Sequence, residues 1–431
     1  LSARLLSARS GLLLRRHWYL ERVLRRTSLT LVVLLLGAAC TPKGGPPGDA
    51  TELLIAVNAP FSKSPFIGQT ILNGAQLAVD QINDAGGIEA GGKTYTFKLQ
   101  RFDNALSPST ALRNTQQAIE DGAIAVLDEG TGLDASWPEA QRAGIPVCVV
   151  YQGGLGMVDP EARPNVFRIT PTDNGIAFRY AEYLVPKGLK VALISDDSDY
   201  GQGGKAAFDK AFGHVPEAIA AEVSVPAASA DVAPQVLDAR RSGATAVLIW
   251  AHSSTVAQVI RAIRTSKWNV PIYTAPSGQD PLVREQLADH PQWVEGLTFA
   301  AGRMTAEVGP GPFLEFQTAY HQAYGRDEVG VQTSDGKDVF QPPDYAMYPY
   351  DFVNVLAAAI KAANGPDAGA VMAALEQVDT RGANGDERGF NEINHEGVVD
   401  DDVYFAVFHD MTYTPVQDDA LSETLDVIPQ T

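Results

Sequence analysis

Disulfide frameworks, a basic face and a membrane-length apolar run are all missing from this sequence. Its 431 residues include only two cysteines, Cys40 and Cys148. That is too few for a disulfide-stapled scaffold, so stability must come from a large apolar core. This length supplies one, and size alone suggests about two domains. Basic residues number 33 against 52 acids, a net charge of −19. Seven of those basic residues and one acid, Glu21, lie in residues 1–39, so the rest of the chain carries −25. A body of that sign repels nucleic acid and anionic membrane surfaces, which excludes a nucleic-acid-binding role. Catalytic and metal signatures are absent too: there is no H-E-x-x-H, no G-x-S-x-G and no paired Cys/His spacing. Seven histidines are scattered. His252 has no nucleophile beside it, and His395 falls in a polar stretch where solvent is its expected neighbour. Neither an enzyme, a metal site nor a cofactor is expected.

The first residues read as an address. Arg22, Arg25 and Arg26 precede the apolar run Leu29–Leu36, then the small residues Gly37, Ala38 and Ala39, then Cys40. Positive, apolar and small segments in that order make a signal peptide over 1–39, and the run is far short of the roughly 20 residues a spanning helix needs. A cysteine directly after the small residues resembles a bacterial lipoprotein cleavage site, with Leu36 one place further upstream than usual. Acylated Cys40 would then be the mature N-terminus and the only membrane attachment, with a plain secreted protein cut nearby as the alternative. The stretch 41–49 is dense in proline and glycine and reads as a flexible tether; segment 40–51 is expected to be a lipidated linker. Cys148, in Pro146-Val-Cys-Val-Val150, is expected as a small hydrophobe in a buried strand.

From residue 53 onward, strand and helix signals alternate. Leu53–Val57 is a short apolar run of the parallel-strand kind. Ile71, Ala75, Ala78, Val79 and Ile82 recur at helical spacing and stop at Gly86-Gly87. Tyr95, Phe97 and Leu99 alternate, a helix spans 111–119, and Ala123–Leu127 and Val147–Val150 are further strands. The rhythm restarts after Phe167–Pro171, with Asp173 as a helix cap, strands at Val191–Ile194, Glu222–Pro226, Ala246–Trp250, Pro271–Thr274 and Leu297–Ala300, and helices between them. A helix over Tyr350–Ala363 follows, then a polar loop over Gly382–Asp402 and an edge strand at Val403–Phe408. This is an α/β fold with two doubly wound, parallel-sheet lobes in series.

The stretch Ser195-Asp-Asp-Ser-Asp-Tyr-Gly-Gln-Gly-Gly204 carries the functional question. It fails as a phosphate loop: Asp199 stands where the first glycine belongs, Ala206 lacks the hydroxyl for magnesium, and three acids repel phosphate. As an EF-hand loop it puts Tyr200 and Ala207 where oxygen ligands are needed. Asp400–Asp402 are too close together to converge on a cation. What remains is a pocket wall, because ligands of open α/β sheets bind beyond the carboxyl ends of the strands, near helix N-termini. Tyr200 stands on such a loop, and Gly201 and Gly203 let the next helix start close to it. A capping turn with a surface tyrosine is the plainer alternative.

Asp197-x-x-Tyr-Gly-x-Gly203 after a buried strand resembles the second-lobe loop of type I periplasmic binding proteins, in particular the branched-chain amino-acid-binding family of ABC importers. Asn73-Gly-Ala75, Ile82-Asn-Asp-Ala-Gly-Gly-Ile88, Phe102-Asp103 with Pro108, Ala143-Gly-Ile-Pro-Val147, Phe167-Arg168 and Tyr350-Asp351 resemble further pieces of that family in the same order, over roughly 52–410. The resemblance implies two lobes joined by about three crossovers, with 52–170 plus 302–400 forming one and 171–301 plus 401–420 the other. It implies hinge closure on a small ligand, export to the cell envelope and an ABC permease as partner. A ligand sensor signalling to a membrane receptor on the same fold is the alternative. By this resemblance the ligand carboxylate meets Thr131, Gly132, Gly153 and Gly154 on first-lobe loops, whose small residues expose N–H donors. Amino-acid binders of the family often place an acid where Ser277 stands here. Asp280 would then reach in, or Glu129 or Asp134 would substitute from the first lobe, or the ligand lacks an amine. Phe66, Trp250, His252 and Tyr348 are candidate apolar or aromatic lining, which would also suit an aromatic carboxylate.

Overall fold

A computed structural model describes residues 50–416 apart from 228, 230, 305–308 and 399–402. The signal peptide, Cys40 with its expected lipid, the tether to residue 49 and the whole acidic run 400–402 therefore lie outside the described residues.

The first half builds as its apolar periods demand. Strand β1 (Thr51–Ala59) leads into α1 (Pro65–Asp84), which buries Ile71, Ala75, Ala78 and Val79 along one face. A hairpin of β2 (Ile88–Ala90) and β3 (Lys93–Asp103) follows, then α2 (Pro108–Glu120), β4 (Ala123–Asp128), α3 (Leu133–Ala143), β5 (Val147–Val149) and β6 (Val166–Arg168). The sheet order is β2-β3-β1-β4-β5-β6, parallel except for β2 against β3. Cys148 is fully buried on β5, as expected of a small hydrophobe.

The second half repeats the plan with α4 (Asp173–Leu184), β7 (Val191–Asp196), α5 (Asp199–Phe212), β8 (Ile219–Val225), α6 (Ala233–Arg241), β9 (Ala246–Trp250), α7 (Ser253–Thr265), β10 (Ile272–Thr274), α8 (Pro281–Gln286) and β11 (Thr298–Gly302). Every residue of β7 and β9 is buried, the signature of a strand covered on both faces. The remaining elements are α9 (Gly311–Tyr324), a hairpin of β12 (Asp327–Gln332) and β13 (Asp338–Gln341), α10 (Met347–Ala362), α11 (Ala368–Leu375), β14 (Asp379–Arg381), β15 (Glu387–Gly389), β16 (Val403–His409) and β17 (Thr412–Pro415). The second sheet runs β17-β16-β11-β10-β9-β7-β8, with antiparallel pairing only where β16 meets β11 and β17. Helices α9 and α10 pack on α1 beside the first sheet, whereas the β12–β13 hairpin packs on α8 and β17.

Within each sheet the five parallel strands share one order: β3-β1-β4-β5-β6 in the first, β8-β7-β9-β10-β11 in the second. The chain changes direction between β1 and β4, and again between β7 and β9. Those switch points are where open α/β sheets bind ligands. The chain passes between the two sheets after β6, after β11 and before β16.

Four expectations are corrected. β16 is not an edge strand, because β17 pairs outside it. The helix expected at Tyr350 begins at Met347. Thr172, not Asp173, caps α4, its hydroxyl accepting from Gly175 N–H at 2.8 Å. The polar stretch after Gly382 is ordered where described: β15 pairs with β14, and His395 is buried rather than solvated. The His395 ring stacks on Phe167 at 4.1 Å, with Nδ1 2.9 Å from Val166 O and Nε2 3.2 Å from Glu376 Oε1. Arg168 N–H donates to His395 O and Gly397 N–H to Arg168 O, so this segment adds itself alongside β6.

Among the described residues no helix is long and apolar enough to cross a membrane, and no group of three or more His, Cys, Asp and Glu is placed to hold a metal ion.

Candidate functional site

The first-sheet switch point ends in a tightly bonded acidic loop. Asp128 closes β4 and accepts from Asn58 Nδ2 at 2.9 Å and Gly130 N–H at 2.7 Å. Burial pushes its carboxyl up to about 7, with those two bonds opposing. Glu129 accepts from Gln152 Nε2 at 2.8 Å, Asn104 Nδ2 at 3.2 Å and Thr131 N–H at 3.2 Å. Gln152 also donates to Thr131 Oγ1 at 3.3 Å. Gly132 begins α3 at φ 74°, a left-handed conformation that suits glycine, and an added Cβ would sit 2.6 Å from Pro108. The N–H groups of Gly132, Gly153 and Gly154 have no acceptor among the described residues. They stand as donors for an anion near a helix start.

The second-sheet switch point is tied together by Asp196, which closes β7 and accepts from His252 N–H, after β9, at 2.8 Å and from the Ser198 hydroxyl. Ser198 in turn caps α5 by accepting from Gly201 N–H at 3.1 Å. These bonds fix Tyr200 in the first turn of α5. Tyr200 is 6% exposed, its ring 5.5 Å from His252 and 6.4 Å from Trp250. Burial, then the charge of Asp173, drives its phenol pKa upward, and its hydroxyl reaches toward Ser277 without attaining hydrogen-bond geometry. Gly204, one turn along, is obligatory: a Cβ there would sit 2.1 Å from the Trp250 ring. Ser277 donates to Ala251 O at 2.6 Å, and Asp280 caps α8 through Leu282 N–H at 2.9 Å. Burial raises the Asp280 carboxyl as well.

The two switch points face one another. A cavity of about 410 Å³ is lined from the first lobe by Gly132, Gln152, Gly154 and Arg163, and from the second by Asp199 and Gly203. A Cβ on Gly203 would meet Asp173 Oδ2 at 3.3 Å and Gly154 Cα at 3.7 Å, so α5 closes directly onto a first-lobe loop. Arg168 donates to Gly154 O at 2.9 Å and is clasped by Glu396 at 2.7 and 2.6 Å. Tyr151 and Tyr345, with ring centroids 5.3 Å apart, complete an aromatic group within electrostatic reach of Tyr200.

Of the residues singled out from sequence, Thr131, Gly132, Gly153, Gly154, His252, Ser277 and Asp280 fall in the connections at the carboxyl ends of the parallel strands, whereas Tyr200, expected on such a loop, stands in the first turn of α5. Trp250 is fully buried as the support of α5, and Tyr348 is buried against Tyr345. Phe66 is half-buried in the first turn of α1 against the main core, and no ring contact or hydrogen bond joins it to the cluster among the described residues. Asp134 is exposed and pairs with Arg163 at 2.7 Å. Sequence reasoning passed over Gln152, Tyr151 and Tyr345, whose approach depends on loops far apart in the chain. It also passed over Asp173, which it took for a helix cap.

The sequence profile of the periplasmic binding protein family matches residues 53–410. A Leu/Ile/Val-binding protein homologue from Brucella abortus is 24% identical over 368 residues, covering 80% of this chain and 86% of its own. The fold superposes on a type 1 periplasmic binding protein from Bordetella pertussis with a TM-score of 0.74, at 20% identity over 85% of this chain and all of the other. It superposes on the branched-chain amino acid transporter substrate-binding protein LivJ of Streptococcus pneumoniae, solved with isoleucine, with a TM-score of 0.69, at 20% identity over 84% and 98% of the two chains. Two like-ordered sheets facing across a small cleft, and a profile match along nearly all of the described chain, have one explanation: the chain belongs to the periplasmic binding protein family.

Proposed function

We propose that this chain captures a small α-amino acid of the branched-chain type between its two lobes and delivers it to an ABC importer. The observation that carries the reading is the pairing of the two switch points. Gly132 and Gly154, whose N–H groups have no acceptor among the described residues, line a cavity of about 410 Å³ with Asp199 and Gly203 on its other wall; Thr131 and Gly153 adjoin the first pair in the chain and Tyr200 adjoins Asp199. Donors at helix starts suit a carboxylate, and the aromatic group of Tyr151, Tyr200 and Tyr345 offers apolar surface to an aliphatic side chain. Contacts from both lobes favour a closed form, so binding energy and hinge closure are coupled. The similarity to Leu/Ile/Val-binding relatives and to an isoleucine-bound neighbour supports the same ligand class. The lobe boundaries 52–170 with 302–400 and 171–301 with 401–420 belong to this reading, as do export past the cytoplasmic membrane and anchoring through lipid on Cys40. Binding without turnover is the activity proposed.

Thermal melting against a panel of amino acids, aromatic carboxylates, amides and small sugars tests it. Ligand that binds only the folded chain raises the melting temperature by mass action. Aliphatic amino acids are expected to raise it; a response confined to sugars or amides would overturn the reading.

A further inference from the structure

The family resemblance leaves the ligand's ammonium without a charged partner, because Ser277 holds the position where an acid is usual and its neutral hydroxyl, donating to Ala251 O, brings no negative charge. We propose that Asp173, at the start of α4, takes the ligand ammonium in this protein, so that the cleft selects amine-bearing ligands. The inference rests on the amino-acid-binding reading above and goes beyond it by naming the group that reads the amine.

Seven carboxylates are buried among the described residues, and six have donors. Asp128 has Asn58 and Gly130, Glu129 has Gln152, Asp196 has His252 N–H, Asp280 has Leu282 N–H, Asp344 has Gly302 N–H at 3.1 Å, and Asp351 has Arg388 at 3.0 Å. Asp173 is 2% exposed, and no donor reaches its Oδ2. A buried carboxylate without donors is costly and calls for a missing partner. The facing charge that favours its ionised form is Arg168, which Glu396 and Gly154 O already occupy. The other titratable groups that feel Asp173 are the phenols of Tyr200 and Tyr345.

Its position fits the missing partner. Asp173 N–H donates to Gly153 O at 2.8 Å, fixing the carboxyl beside the first-lobe donor loop. Oδ2 faces Gly203 on the opposite wall. The carboxylate therefore lies between Gly153, Gly203 and Tyr200, next to the donors proposed for the ligand carboxylate. An α-ammonium is separated from its carboxylate by one carbon, so the two subsites must be neighbours, as they are here. A cation in this place gives the orphaned oxygen a charge-assisted hydrogen bond.

The test is calorimetric titration of the protein and its Asp173→Asn variant with L-leucine and with 4-methylpentanoate, the same molecule without the amine. Wild type should bind L-leucine and reject 4-methylpentanoate. The isosteric variant should lose roughly tenfold to a hundredfold in leucine affinity, the worth of one hydrogen bond between charged groups. Because the substitution removes an unpaired buried charge, the ligand-free variant should melt no lower than wild type at pH 8, an outcome that a structural role for Asp173 would not give. Equal leucine affinity in variant and wild type would overturn the proposal while leaving the amino-acid reading intact. Equal affinity of wild type for both probes would do the same. Failure of wild type to bind any amino acid would overturn both.

Discussion

Two adjacent glycines on α5 should respond to alanine in opposite ways. Gly204 lies against the indole of Trp250, and a methyl there would stand 2.1–2.3 Å from three ring atoms. Carbon atoms pack at about 3.5–4.0 Å, so helix or ring must retreat by more than about 1 Å. Trp250 is fully buried on a central strand and has nowhere to go. Overpacking of this kind costs about 3 kcal/mol at a rigid site, and alanine returns about 1 kcal/mol of helix propensity. Gly204→Ala should therefore destabilise by about 2 kcal/mol, read as a lower urea midpoint with unchanged slope. Gly203 points instead into the cleft, where the nearest atom is Asp173 Oδ2 at 3.3 Å. Gly203→Ala should leave the urea midpoint unchanged or raise it, yet weaken ligand binding by putting a methyl between α5 and Gly154. Equal stability of Gly204→Ala and wild type would refute the packing argument. A Gly203→Ala variant with wild-type affinity would remove α5 from the cleft wall.

Three further outcomes are expected. Asp351→Asn breaks the buried pair with Arg388, both residues about 1% exposed, and should cost about 3 kcal/mol in the same urea assay, since it strands a buried guanidinium charge. Asp128, Asp173 and Asp344 are each pushed up to about 7 by burial, from an ordinary value of 3.8. The folded chain thus holds protons that the unfolded chain has released, so their contribution is greatest below about pH 4 and is lost as pH rises through about 7. Ligand-free protein should melt higher at pH 5.5 than at pH 8, and a flat or opposite profile would contradict those environments. Finally, Cys40→Ser should move the protein from the membrane fraction to the soluble exported fraction; an unchanged distribution would remove the lipid anchor.

The sheets were legible because their central strands, such as β7 and β9, are buried on both faces. Runs such as Ala246–Trp250 carry no polar residue, and nothing but a parallel strand between helices explains them at that length. The loop after β7 was legible for a related reason: an acidic, aromatic and glycine-rich stretch directly after such a run sits at a strand's carboxyl end. Tertiary partners were not legible. His395 lies 229 residues from the carbonyl it meets, and its polar neighbours gave no sign of burial. The β12–β13 hairpin has a short, mixed alternation, Asp-Glu-Val-Gly-Val-Gln, that carries little periodic signal. Asp173 was the most instructive miss. An acid in the first turn of a helix has a sufficient local explanation in the helix dipole, and only the packed structure shows that Thr172 does the capping and that Asp173 Oδ2 is buried without a donor.

The central claim is that one small amino acid occupies the space between the two switch points. A crystal structure of the protein grown with L-leucine tests it most directly. The account predicts leucine between the Thr131–Gly132 and Gly153–Gly154 loops on one side and Tyr200 on the other, with its ammonium on Asp173. Leucine bound elsewhere, or an empty cleft at saturating leucine, would contradict it.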